Sequence, residues 1–136
     1  MKSRFEVWVL GSILISGACA QDSQKPALRQ GVAVEMAVAG HSVQMRAADK
    51  QNAAVVAITA GGNVFVGIKP TDPAALSSLN EGTVYVKADS RVPYQKVLAV
   101  LDALRGKSVV LLTAPPEEAV RQGVVPPYGM KLIVSR

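Results

Sequence analysis

Thiols and imidazoles are nearly absent from this chain of 136 residues. It has one cysteine, Cys19, inside an N-terminal apolar run, and one histidine, His41. A single thiol excludes an internal disulfide framework, and the part expected to fold carries no thiol nucleophile. One histidine and one cysteine also exclude a zinc site built from those ligands, and a Ser-His-Asp triad has only His41 to draw on. His41 stands beside Ser42 in a polar stretch with no acid or cysteine near it, as a surface residue does. Aromatic residues make up only 4%, so the core must be built from Val, Leu, Ile and Ala. The 15 basic residues are scattered, without a stripe or an adjoining aromatic platform, so nucleic acid is not an expected partner. The net charge of +5 drops to +4 when Met1–Ala20, with Lys2, Arg4 and Glu6, are set aside; weak attraction to anionic cell-wall polymer or lipid headgroups is compatible with it.

The apolar run Val7–Ala20 follows Lys2 and Arg4 and ends in Ala18-Cys19-Ala20 before Gln21. This is the layout of a secretory signal cut after Ala20. As a helix its 14 residues would reach about 21 Å, short of the ~30 Å hydrocarbon core. Ser16, three residues before Cys19, argues against a lipoprotein. The rival reading is a short retained membrane anchor that begins at Glu6, and an ionisable group in a membrane span is a functional candidate.

Residues 21–31 read as a linker. Val32, Val34, Met36 and Val38 alternate with Ala33, Glu35 and Ala37, which predicts a half-buried strand. Gly40–Asn52 reads as a loop or ill-defined edge. Val55–Ala60 and Asn63–Val66 around Gly61-Gly62 predict a β-hairpin with a type I′ turn. Gly67–Asp72 is expected to leave the sheet. Asp72-Pro73 opens a short helix with Leu76 and Leu79 inward and Gly82 at its end. Thr83–Ala88 is a strand. A helix from Pro93 follows, with Tyr94, Val97, Leu98, Leu101 and Leu104 on one face. Val109–Leu112 is a strand covered on both faces. After Pro115-Pro116, residues 115–136 form a C-terminal extension with one helical turn and a candidate edge strand at Met130–Val134.

The stretch Thr83–Leu104 resembles the periplasmic domain of the ExbD/TolR family of biopolymer-transport proteins. The matching residues are Ala88, Asp89, Val92, Pro93 and Tyr94, then Lys96, Val97, Val100, Asp102, Ala103 and Leu104. The resemblance covers residues 32–114. It implies an α+β fold, a small mixed β-sheet of about five strands with two helices packed on one face. It also implies a cell-envelope protein linked to proton-motive force. The implied partners are a second copy of the chain, a motor channel subunit of the ExbB/TolQ type, TonB- or Tol-type envelope proteins, and peptidoglycan. In that family an Asp opens the membrane helix and is thought to serve the proton-driven motor; Glu6 would stand in its place if the N-terminal segment is retained.

No catalytic constellation emerges from the residues. Asp89 ends a strand ahead of a helix, a common catalytic position in open α/β sheets, yet no partner residue is near it in sequence. It is expected to accept backbone N–H bonds in the turn. Pro93 is expected to start the helix and Tyr94 to belong to its buried stripe, with a partner contact as the alternative for this pair. Gly61-Gly62 lacks the features of a phosphate cradle, and the adjacent Glu117-Glu118 do not share a helix face. No enzyme activity, cofactor or metal is expected. The chemistry to look for is binding.

Overall fold

The computed structural model describes residues 31–123 and 125–133. The expected signal peptide or anchor, with Glu6, and most of the linker therefore lie outside the described residues. The β-branched runs pair into one seven-stranded mixed sheet. Its strands are β1 (Val43–Gln44), β2 (Ala54–Ile58), β3 (Val64–Val66), β4 (Lys69–Pro70), β5 (Thr83–Ala88), β6 (Ser108–Thr113) and β7 (Tyr128–Leu132), in the order β1-β7-β6-β5-β2-β3-β4. The α-helices are α1 (Tyr94–Ala103) and α2 (Glu117–Arg121), and 3-10 helices span Arg46–Asp49 and Pro73–Ser78.

β2, β5 and β6 are parallel, with Val56 beside Val86 and Val86 beside Leu111. The crossovers β2-to-β5 and β5-to-β6 step in the same direction across the sheet. Right-handed crossovers then place both connecting helices on one face. On that face Leu76 from the Pro73–Ser78 helix and Val100 and Leu104 from α1 pack with Val56, Ile58, Val84, Val86 and Val109. On the other face Ala48 packs with Val110 and Leu112, flanked by Met36, Met45 and Tyr85. The all-buried β2 and nearly all-buried β6 reflect this double cover.

The α+β class and the mixed sheet are as expected, but seven strands replace about five. Gly67–Asp72 does not leave the sheet: Lys69 and Pro70 return beside Val66 and Phe65 as β4. Gly40–Asn52 contains β1 and a 3-10 turn rather than a loop alone. Residues 32–37 alternate in burial but form no ladder, and Val38, expected inward, is exposed; their one strand-like pairing is the bridge Val38–Ala114. The hairpin turn is not type I′, because only Gly62 has positive φ (86°). The Gly62 N–H donates to the Thr59 carbonyl and the Thr59 N–H to the Asn63 carbonyl, which makes a three-residue loop. The helix after Asp72 is 3-10 and ends at Ser78 rather than near Gly82. Its predicted cap is present: the Asp72 carboxylate accepts the Ala74 N–H at 3.0 Å.

The C-terminal extension is part of the sheet. β7 pairs over five residues with β6 and is flanked outside by β1. Gly129 makes that pairing possible, since a Cβ there would lie 2.7 Å from the Leu111 carbonyl oxygen.

Candidate functional site

Asp89 follows β5 directly, and its side chain is buried where the chain turns toward α1. Its carboxylate accepts the Arg91 backbone N–H at 3.0 Å and the Glu35 N–H at 3.2 Å. The Arg91 guanidinium grips both oxygens, Nε at 2.8 Å and Nη2 at 3.0 Å. Those guanidinium bonds first, then the Arg91 and Glu35 N–H groups, hold the carboxyl far below the usual aspartate range, against the opposing effect of burial. All its strong contacts are thus internal. A carboxylate tied in this way is a poor proton acceptor at neutral pH.

The carboxyl ends of β5 and β6 are also covered. Residues 35–38 cross them: the Ser90 N–H donates to the Glu35 carbonyl at 2.8 Å and the Ala114 N–H to the Ala37 carbonyl at 2.9 Å. Open α/β sheets take ligands where the crossover direction reverses. Here both crossovers step one way, and the chain itself occupies the carboxyl edge.

The residues that carry the resemblance lie in one strand–turn–helix unit. Ala88 ends β5, Asp89 ties the turn, and Val92 packs against the core. Pro93 is the N-cap of α1. Tyr94, expected in the buried stripe, is instead 73% exposed, and Leu98 is 44% exposed. The buried positions are Val100 and Leu104, with Val97 and Leu101 partly buried. The cause is the rotation of the helix. The Lys96 stem lies over the hairpin, its carbons 3.1–3.3 Å from where a Gly62 Cβ would be. Val100 and Leu104 face the core, which leaves Tyr94 and Leu98 outward.

Tyr94 and Leu98 are thus an apolar pair one helical turn apart on the outer side of α1. Beside them Leu98, Leu101, Leu132 and Ile133 line an open groove between α1 and the end of β7. Ile133 is 97% exposed. Asp102 and Arg105, paired at 2.8 Å, stand on the same rim.

Sequence reasoning missed Lys87. It sits on β5 in the face opposite the helices and is only 3% exposed; burial lowers its pKa. Alternation along β5 puts it on the same face as Tyr85, but nothing in the sequence announces that this face is covered. His41 is exposed, and Glu117 pairs with Arg121 rather than with Glu118. Among the described residues no cluster of His, Cys, Asp or Glu is arranged to hold a metal, and no helix is long and apolar enough to cross a membrane.

Comparison of the chain with models of known protein families and with curated proteins found no match.

Proposed function

We propose that this chain is an ExbD/TolR-like component of a proton-motive-force-linked transport system of the bacterial cell envelope. In this reading the described domain lies in the periplasm and acts as a non-catalytic binding and dimerisation module. The observation that carries the reading is the Ala88-Asp89, Val92-Pro93-Tyr94 motif. Its residues fall in one strand–turn–helix unit, and α1 continues it with Lys96, Val97, Val100 and Asp102. The covered carboxyl edge and the internally tied Asp89 favour binding over catalysis. The exposed Tyr94 and Leu98 give the module a surface for a partner. Motor channel subunits of the ExbB/TolQ type, TonB- or Tol-type proteins and peptidoglycan are the partner classes that follow from the resemblance.

The second reading is a solitary exported module that binds peptidoglycan or an envelope protein without energy coupling. Ala18-Cys19-Ala20 ahead of Gln21 favours it, because a chain cut there carries no membrane proton site. Intact mass of the protein recovered from its native envelope separates the two. The full-chain mass in the membrane fraction supports the motor component. Glu6→Gln should then abolish proton-driven function while leaving assembly intact. A mass matching Gln21–Arg136 removes Glu6 from the mechanism and supports the exported module.

A further inference from the structure

Tyr94, Leu98 and Asp102 lie four residues apart in succession, so they form one row along the outer side of α1. The row is exposed throughout: Tyr94 and Leu98 are open to solvent, and so is two-thirds of the Asp102 side chain. It reads hydrogen-bond donor, apolar centre, hydrogen-bond acceptor, at equal spacing on either side of Leu98. A row of this kind is complementary to itself in reverse. When two copies cross antiparallel with Leu98 against Leu98, each Tyr94 hydroxyl meets the carboxylate of the other copy's Asp102. A two-fold interface demands that property, because one patch must serve as both partners. Arg105, 2.8 Å from Asp102, orients the acceptor. Leu132 and Ile133 extend the apolar area along one side.

The edges of the described sheet offer less to a second copy. Both outermost strands, β1 and β4, are two residues long, and β4 consists of Lys69 and Pro70. Short edges bearing lysine and proline resist edge-to-edge pairing. Charge also limits the class of partner at α1. One acid and one base balance on the groove, so neither an anionic polymer nor a strongly basic peptide gains there.

We infer that the outer side of α1 is the contact surface for a second copy of this chain, packed antiparallel about a two-fold axis at Leu98. The inference deepens the dimerisation role proposed above and rests on it only for the presence of a second copy. Sedimentation equilibrium of the full chain in mild detergent tests it. The parent should be dimeric. Leu98→Asp, which would set two carboxylates face to face on the axis, should weaken the dimer by 100-fold or more. Tyr94→Phe should weaken it by about 10-fold, and Ile68→Asp at the β3–β4 turn should leave it unchanged. Leu98→Cys in a Cys19→Ser background should give a disulfide-linked dimer on oxidation, which keeps the test open if Leu98→Asp fails to fold. A monomeric parent, or a dimer that Leu98→Asp leaves intact and Leu98→Cys does not cross-link, overturns the inference. A chain that is monomeric yet recovered with a motor channel subunit sinks the interface and spares the functional reading. A Leu98-centred dimer with no envelope partner does the reverse.

Discussion

Asp89 joins three parts of the chain through one carboxylate: the end of β5, the turn leading to α1, and the segment that begins near Gly31. Removing its charge takes from the Arg91 guanidinium its closest carboxylate, leaving only Glu35 at 4.0 Å, so Asp89→Asn should lower the melting temperature at pH 7. The pH dependence follows from the depressed pKa. The unfolded chain takes up the proton first, so the contribution of Asp89 is complete above the ordinary aspartate value of about 3.9 and is lost as pH falls below it. The gap between Asp89→Asn and the parent should therefore narrow as pH falls from 4 to 2; a gap of undiminished size at pH 2 would mean that the charge is not what stabilises the turn. Lys87 has the opposite behaviour at the alkaline end. Burial lowers its pKa, so between that value and the ordinary ~10.4 the unfolded state holds more protons and stability rises with pH. Relative to Lys87→Met, the parent should gain melting temperature as pH goes from 7 to 10. Of these two residues the sequence disclosed one. Asp89 stood in a recognisable strand–turn–helix context, whereas the burial of Lys87 depends on what covers the far face of β5.

At the scale of elements, α1 shows how far periodicity reads. Its start at Pro93 and its amphipathic character were plain, and Gly106 takes positive φ just past the helix. The stripe was not. Tyr94, Val97, Leu98, Val100, Leu101 and Leu104 span more of the helix than one sheet face covers, and the pattern alone does not choose the buried half. Packing of Val100 and Leu104 against the sheet and Leu76 makes that choice, and it joins segments distant in the chain. The energetic consequence is testable. Leu104 is fully buried, so Leu104→Ala should cost about 2–5 kcal/mol in chemical denaturation. A loss below ~1 kcal/mol would place the helix in a different rotation from the one described. The Asp72 cap and the β2–β3 hairpin were legible for the reverse reason: cap, proline and double glycine act within a few residues.

The whole molecule is organised around β5 and β6, central parallel strands whose side chains are covered on both faces. β7 is the last of the described strands yet lies inside the sheet, so the sheet is completed only when β7 docks. A chain truncated after Pro116 should lose cooperative unfolding, because β6 is then an open edge and β1 has nothing to pair with. A sharp thermal transition in that truncation would show that β7 is dispensable. The sequence by itself determined the local units: strand β5, the turn at Asp89, helix α1, the capped turn at Asp72 and the apolar run of β6. Each is signalled by residues within its own segment, where periodicity, caps and glycines act. Only the tertiary structure decided the number of strands, the place of β7, the crossing of residues 35–38 over the carboxyl edge, the burial of Lys87 and the outward face of α1. Those outcomes depend on which apolar surfaces find each other across long stretches of chain, and a pattern of alternation carries the same signal whichever partner covers it.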